Sequence, residues 1–506
     1  MPVKDVLSHN LMGIERESLR VDQEGNISQE LHPQVYGSPL TNPVITTDFS
    51  ESLIELVTKP VNGAEKVLSE LEKILHYVNH HLSTSERLWP TSMPCILRGH
   101  TNIPIAQYGT SNLGRMKNVY RRGLAWRYGS VMQAIAGIHF NYSFSDDFWQ
   151  TYHDLISPDL SLRCFIDNHY MGLTRNVLRY GWLLPYLFGA SSSVCKSFMK
   201  DYHEHDLQEF DYNTLYLPYA TSLRMGDIGY QNNQEDKKGV KANYNSLYYY
   251  IHSLRAAMQT SCEDCERIGV KQDGEYRQLN TNILQIANEY YSSVRPKPLL
   301  HGMDRPLKAL QNNGVGYIEI RSLDVNPLTP LGIDKPQIHF LEAFLLFCLL
   351  QDSAVISSKE QFEIDNNDKL VAHKGRQPEL MLLSNGRQIL LQDWGQEIMQ
   401  QIKECAKLLS NEHQKSVEEI SVRIDNPDLT PSAVILEEMK REGIGFFRYI
   451  DQLSHQYRDL YQSKIVDKDY FSELDRLALS SQQKQLEIEA QDVLSFDDYI
   501  AQYFTY

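Results

Sequence analysis

The segment Gly13-Ile14-Glu15-Arg16-Glu17-Ser18-Leu19-Arg20-Val21 constrains the fold more than any other, because it sets two acids and two arginines inside a strand-like run. In a strand, side chains alternate with a period of two, so Glu15 and Glu17 point to one face. Two carboxylates then stand side by side. A solvated edge strand with interleaved arginines fits the same spacing.

Three further segments raise the same question. After a short strand at residues 44–47, a helix is expected from Asp48, with Asp48, Glu51 and Glu55 on one stripe and Leu53, Ile54 and Leu56 in apolar contact. Asp48 followed by Glu51 also resembles a capping box, which favours acids at a helix start without any chemistry. In Gly316-Tyr317-Ile318-Glu319-Ile320-Arg321-Ser322-Leu323-Asp324, Glu319 and Arg321 share one face of a strand, and Ile318 and Ile320 share the other. In Gly137-Ile138-His139-Phe140-Asn141, His139 and Asn141 share a face, although a lone strand histidine is commonly structural. Carboxylates brought within about 4 Å repel by roughly 4 kcal/mol per pair at an effective dielectric near 20, so several converge only around a cation. Mg²⁺ is the expected one, since it takes carboxylate oxygens together with nucleotide phosphates.

Around these segments, residues 12–21 form a strand, and residues 64–82 repeat apolar side chains at helical spacing (Val67, Leu71, Ile74, Leu75, Val78). A helix ends near Ile135, and strands are expected at residues 279–283 and 315–323. Residues 340–350 are apolar but fall short of the about 20 residues needed to cross a bilayer, and read as a buried core helix. The polar stretches 231–245 and 357–368 read as surface loops. From about Gln392 the chain is helical and charged, ending in an exposed amphipathic helix at 473–490.

The net charge of −16, from 65 acids against 49 Lys and Arg, leaves no global basic field for nucleic acid or an anionic membrane. The basic stretch 115–127, with Lys117, Arg121 and Arg122, suits a solvated or substrate-facing helix equally well. Seven cysteines, an odd number, point to a reducing cytoplasm rather than a disulfide scaffold, and the opening Met1-Pro2-Val3-Lys4-Asp5 lacks the apolar core of an export signal. Cys262-Glu263-Asp264-Cys265 reads as a surface thiol pair, and His80-His81 and His203-Glu204-His205 as solvated. The chain has no G-x-x-x-x-G-K-[ST] loop, no G-x-G-x-x-G and no H-E-x-x-H.

Taken in order, the first block, Ile45-Thr46-Thr47-Asp48-Phe49-Ser50-Glu51 and Leu88-Trp89-Pro90-Thr91-Ser92-Met93-Pro94-Cys95 resemble segments of the proteobacterial glutamate-cysteine ligases. So do Gln107-Tyr108-Gly109-Thr110-Ser111-Asn112, Gly137-Ile138-His139-Phe140-Asn141, Pro185-Tyr186-Leu187-Phe188-Gly189-Ala190-Ser191, Tyr219-Ala220-Thr221-Ser222-Leu223-Arg224 and the block at Glu319. The resemblance spans about residues 12–330 and loosens beyond, through Asn426-Pro427-Asp428-Leu429-Thr430.

That resemblance implies an α+β fold whose curved, mostly antiparallel sheet forms an active-site funnel of the glutamine synthetase type, with residues 1–506 acting as a single catalytic unit. It implies metal positions at Glu15, Glu17, Asp48, Glu55, His139 and Glu319, with Glu51 left to a cap role. Arg321 would face the transferred phosphoryl group, with Arg121 as its companion. Arg224 would hold the cysteine carboxylate, and Tyr120, Leu124, Tyr230 and Tyr291 would wall the cysteine pocket. Gln133 and the backbone near Ile135 would meet glutamate. The implied cofactor is Mg²⁺, with Mn²⁺ as a substitute, and the substrates are ATP, L-glutamate and L-cysteine. A cytoplasmic monomer without nucleic-acid or membrane partners is expected, making the dipeptide alone because the long added segment of bifunctional relatives is missing.

Overall fold

The acid-bearing segment is β1 (Leu11–Val21), and it lies inside a sheet rather than at its edge. This was established in a computed structural model that describes residues 5–200, 205–229, 241–300 and 305–505. Around β1 stand β2 (Ile45–Thr47), β3 (Leu53–Val57), β4 (Arg87–Leu88), β5 (Ile138–Ser143), β6 (Val294–Lys297) and β7 (Tyr317–Leu323). They form one open sheet of seven strands in the order β6-β7-β5-β1-β3-β2, with β4 pairing β1 at Arg20 and Val21. Every pairing is antiparallel, and a register irregularity interrupts β5 and β7 between Ile320 and Leu323. The expected α+β class with a mainly antiparallel sheet is what the chain adopts.

Alternation divides the sheet into two chemically different faces. Ile14, Ile54, Leu56, Phe140, Ile318 and Ile320 are buried in the main core, while the odd-numbered acids take the opposite face. The arginines of β1 follow the apolar side, and hydrogen bonds to carbonyls and a carboxylate offset part of the loss of water. Arg16 Nε donates to the Leu331 carbonyl at 2.9 Å, and Arg20 Nη1 donates to Glu86 Oε1 at 2.7 Å. Arg20 Nη2 also reaches the carbonyls of Glu30 at 2.6 Å and Glu51 at 3.0 Å. The solvated-edge reading of this strand is therefore wrong.

The helices that follow are α1 (Ala64–His81), α2 (Asn112–Tyr128), α3 (Leu162–Tyr180), α4 (Lys335–Leu350), α5 (Ser358–Lys374), α6 (Leu391–Leu409), α7 (Asn411–Asp425), α8 (Phe446–Gln462), α9 (Lys468–Gln491) and α10 (Phe496–Phe504). Residues 337–349 of α4 are all buried, among α3, α6 and α7, as its apolar composition requires. No helix of the described residues is long and apolar enough to cross a membrane.

Late helices brace early loops. Ser38 N donates to Ser481 Oγ of α9 at 2.9 Å, Thr110 N donates to Glu489 at 2.8 Å, and Arg115 stacks on Phe496 of α10 at 4.3 Å. The stripe Tyr470, Phe471, Leu474, Ala478 and Ser481 is the buried side of α9, which otherwise faces outward as its amphipathic sequence indicates.

Several expectations fail for identifiable reasons. Residues 48–56 form no helix: β2 and β3 make a hairpin in which Ser50 Oγ accepts from Leu53 N at 3.0 Å, so Asp48 caps nothing. Glu51 accepts from His32 N at 2.6 Å and from Gln107 N, holding two loops rather than a helix start. Residues 279–283 form no strand, because Asn280 Oδ1 accepts from Asn282 N at 3.0 Å in a local turn. The helix expected to run to Ile135 stops at Tyr128, where Gly129 has φ 84°, and a single tight turn, Met132–Ala134, follows.

Residues 358–368 belong to α5 rather than to a loop. Ser357 caps it by accepting from Glu360 N at 3.2 Å, and a narrow buried stripe of Glu363, Ile364, Asn367 and Val371 holds it. Most of the other expected loop, residues 231–240, and the His203-Glu204 pair lie outside the described residues. Cys262 and Cys265 are buried, not a surface pair, and all seven cysteines are free thiols. His80 and His81 pack edge-on and tilted against Phe471.

Candidate active site

The charged face of the sheet assembles its groups by register. Glu17 lies opposite Glu55 across β1 and β3, Glu15 lies opposite His139 across β1 and β5, and Asn141 lies opposite Glu319 across β5 and β7. Four adjacent strands thus deliver one continuous cluster. Glu55 reaches it from a strand, and the stripe expected on a helix is replaced by cross-strand pairing.

Two overlapping triads result, Glu15–His139–Glu319 and Glu17–Glu55–His139, each with one donor atom per residue within 4.8 Å of the others. His139 Nδ1 stands 3.0 Å from Glu15 Oε2 and 3.6 Å from Glu319 Oε1, and its Nε2 stands 3.8 Å from Glu17 Oε1. A carboxylate can only accept, so Nδ1 carries the proton and Nε2 is left as a lone-pair donor toward Glu17. Asn141 Nδ2 donates to Glu15 Oε1 at 2.8 Å, and Gly137 N donates to Glu17 Oε2 at 2.6 Å. Asp48, in the turn of the hairpin, adds its field to both Glu17 and Glu55.

The electrostatics split the cluster in two. Burial, with Asp48 beside it, pushes Glu17 up to about 8, and burial together with Glu15, Asp48 and Glu17 pushes Glu55 well above the carboxylate range. For Glu15, burial is the largest influence and also works upward, but the hydrogen bond from His139 together with the charges of His139 and Lys297 outweighs it and holds the group at about 2. Glu319 is likewise buried, yet Lys297, Arg321 and His139 keep it well below its usual value. Burial and Arg321 lower His139, which favours the neutral ring a metal needs. The Glu15–Glu319 side is compensated by neighbouring cations, whereas on the Glu17–Glu55 side burial and the surrounding acids outweigh the fields of Arg224 and Arg321. Four carboxylates with one imidazole suit an oxygen-preferring ion.

Cations border the cluster. Arg321 Nη1 donates to Glu319 Oε1 at 2.9 Å, and Lys297 Nζ lies 3.4 Å from Glu319 Oε2. Arg224 Nη2 donates to the Arg321 carbonyl at 2.8 Å, and its Nη1 lies 3.8 Å from Asp324 Oδ1. Asp324 is itself held by Ser222 Oγ at 2.9 Å and by Ala190 N at 2.8 Å. Arg121 stacks on the Tyr108 ring at 4.6 Å while its Nε donates to the Asp48 carbonyl, so α2 is pinned against the hairpin turn. The basic stretch of α2 is solvated only in part: Arg127 is buried against Glu289 at 2.9 Å, whereas Arg115 is exposed.

Among the expected pocket residues, Gln133 Nε2 donates to the Tyr291 hydroxyl at 2.8 Å, joining the position assigned to glutamate to one assigned to cysteine. Ile135 and Leu124 are buried apolar residues, and Tyr120 is half-buried one helical turn before Leu124. Tyr230 lies outside the described residues. Lys297 and Asp324 escaped the sequence reading as site residues. Pro296 breaks the pattern around Lys297, although Arg295 and Lys297 share the period of two that marks the neighbouring acid strand.

Comparison with known proteins gives a consistent result. Residues 2–371 match the family model described as glutamate-cysteine ligase. The glutamate-cysteine ligase of Pseudomonas entomophila is 43% identical over 504 residues, covering 99% of this chain and 94% of the relative. That of Shewanella halifaxensis is 42% identical over 498 residues, covering 97% and 95%. The crystal structure of the Francisella tularensis glutamate-cysteine ligase in complex with AMP aligns with a TM-score of 0.92 at 36% identity, covering 98% of this chain and 97% of that one. A bifunctional glutathione synthetase from Pasteurella multocida shares the fold at a TM-score of 0.73 and 23% identity, over 98% of this chain and 59% of that one.

Proposed function

The chain belongs to the glutamate-cysteine ligase family, and from that premise we propose how its own residues divide the work. The reaction is the ATP-dependent joining of the L-glutamate γ-carboxylate to the L-cysteine amine, which gives γ-glutamylcysteine for glutathione biosynthesis. The observation that supports the residue assignment is the pair of triads sharing His139, drawn from four neighbouring strands.

We assign Glu15, Glu17, Asp48, Glu55, His139 and Glu319 to holding Mg²⁺, with Mn²⁺ as a substitute. Bound there, the ion would neutralise phosphate charge as the phosphoryl group moves. Every other contribution comes from the chain's own residues. A carboxylate does not acylate an amine unaided, so the γ-phosphoryl group of ATP passes first to the glutamate γ-carboxylate. The cysteine amine then attacks that acyl carbon, forming the C–N bond, expelling phosphate and losing a proton. Arg321, anchored on Glu319, is placed to offset charge on the transferred group, with Arg121 beside Asp48 as a second cation.

Arg224 is assigned to the cysteine carboxylate, since a guanidinium matches a carboxylate in a planar, two-point contact. Tyr120, Leu124 and Tyr291 are assigned to the walls of the cysteine pocket, and Gln133 with the Ile135 backbone to glutamate. Apolar and aromatic walls also exclude water, which would hydrolyse the acyl phosphate. We further infer that the whole chain acts as one catalytic unit, because the main hydrophobic core draws on residues from Leu7 to Leu474, and that it works as a cytoplasmic monomer.

The test is ADP release in the presence of ATP, Mg²⁺ and glutamate. Cysteine should stimulate it strongly and its desamino analogue should not. Equal or greater stimulation by an unrelated amine would overturn the substrate assignment.

A further inference from the structure

A second group of metal-type donors lies in the helical layer, outside the carboxylate cluster. His339 and Glu342 sit one turn apart on α4, His413 sits in the first turn of α7, and each offers a donor atom within 4.8 Å of the other two. α4 is otherwise a buried apolar helix, so an imidazole and a carboxylate within its core-facing stretch need partners to offset the loss of water. His339 is only 4% exposed, and Glu342 only 7%.

The hydrogen bonds around the group orient it. His339 Nδ1 is 2.9 Å from Ser416 Oγ, and His413 Nδ1 is 2.7 Å from Ser410 Oγ. Each ring therefore has its Nδ1 engaged by a serine hydroxyl, which leaves Nε2 as the free end. His413 Nε2 points at Glu342 Oε2, 2.9 Å away, while His339 Nε2 has no hydrogen-bond partner among the described residues. The two rings stack with centroids 4.2 Å apart and planes inclined by 31°. All three residues line a cavity of about 340 Å³ that also meets Asn62, Glu65 and Glu412. Lys335 Nζ lies 2.7 Å from Glu65 and 2.8 Å from Glu412, so those two acids are already compensated and Glu342 is the carboxylate left to serve an ion.

We propose that His339, Glu342 and His413 form a second metal site, for a borderline divalent transition ion of the Zn²⁺ class, that staples α4 to α7. Two nitrogen donors with a single carboxylate favour such an ion over Mg²⁺, which prefers an all-oxygen shell. Tetrahedral zinc at about 2.0–2.2 Å from each donor sets its donors roughly 3.3 Å apart. The His413–Glu342 pair, at 2.9 Å, is already closer than that, and a donor atom of His339 lies within 4.8 Å of both. The fourth position opens on the cavity and takes water. Ser410 and Ser416 act as the outer partners that fix ring orientation and tautomer, the part such groups play around bound metals. The site stands independently of the ligase assignment and uses none of its residues.

The experiment uses the full chain, stripped with a chelator and then saturated with Mg²⁺ and ADP so that the carboxylate cluster is occupied. Co²⁺ is titrated as the probe and followed by visible absorption, with Zn²⁺ as competitor. One equivalent of Co²⁺ with the intense bands of a tetrahedral complex, displaced by Zn²⁺, is expected. That equivalent should be lost in His413→Ala and in Glu342→Gln, with ligase turnover retained in His413→Ala as evidence that it folds. Ser416→Ala should weaken Zn²⁺ binding about 10–100-fold. Absence of the tetrahedral spectrum in the wild-type protein, or Co²⁺ affinity changed less than twofold in both ligand variants, would overturn the site and leave a plain His413–Glu342 hydrogen bond.

Discussion

Replacing Glu55 by Gln separates the cost of the carboxylate cluster from its use. Glu55 faces Glu17 across the sheet, and donor atoms of the two lie within 4.8 Å. At that distance and an effective dielectric near 20, two ionised carboxylates repel by about 3.5 kcal/mol. Both groups titrate above their ordinary value of 4.5, so the folded protein keeps protons that the unfolded chain has released. The sign follows: the stability contributed by these two groups in the metal-free protein is fully present below about 4.5 and is lost as pH rises through their folded-state values, about 8 for Glu17.

Glutamine imitates the protonated acid in shape and charge. Metal-free Glu55→Gln should therefore match the wild type in melting temperature near pH 4 and exceed it increasingly as pH rises toward 9, where it removes up to that repulsion. Catalysis should move the other way. Losing one metal-type ligand removes several kcal/mol of transition-state stabilisation, and about 4 kcal/mol is roughly a thousandfold in kcat. The assays are thermal melting in chelator across pH and ADP release at saturating Mg²⁺. A kcat within tenfold of wild type, or a metal-free variant less stable than wild type at high pH, would refute the reasoning.

Three other outcomes are expected. Arg321→Lys should lower kcat by about 10²–10³ with little change in the KM for ATP, because it removes a planar donor aimed at developing charge; steady-state kinetics with ATP varied checks this. Gly137→Ala would set a Cβ 2.2 Å from Arg224 Nη2 and 2.8 Å from its Cζ, so it should displace a buried guanidinium and raise the KM for cysteine about tenfold or more, measured with cysteine varied. Binding of Mg²⁺ to the stripped protein should release protons near pH 7, since Glu17, pushed up by burial and Asp48 to about 8, must ionise to act as a ligand; calorimetry in buffers of different ionisation enthalpy reads the release, and buffer-independent heats would contradict it.

Where the sequence spoke clearly, it did so through a period that survives any environment. Alternation puts Glu15 with Glu17, His139 with Asn141, and Glu319 with Arg321, whether or not the opposite face is buried, and all three pairs meet in the folded sheet. Arg16 and Arg20 misled because an arginine in a strand suggests water, whereas here backbone carbonyls and Glu86 take its place. The 48–56 segment was ambiguous in principle: Leu53, Ile54 and Leu56 satisfy a helical stripe and a strand buried on both faces equally well, and only the serine-closed turn distinguishes them. α5 was hidden for the converse reason, since a helix that buries one narrow stripe of partly polar residues has the composition of a loop. The resemblance placed Glu17 and Glu55 in one site, but their opposition across strands follows from no local pattern, because it depends on strand register.

The central claim is that these acids gather divalent ions against a nucleotide. Crystals of the protein grown with Mn²⁺ and ADP, measured at the manganese absorption edge, test it most directly. Anomalous peaks bounded by Glu17, Glu55 and His139 and by Glu15, His139 and Glu319, in contact with the ADP phosphates, are the predicted result. Peaks located elsewhere, or an ADP whose phosphates lie clear of these side chains, would contradict the account.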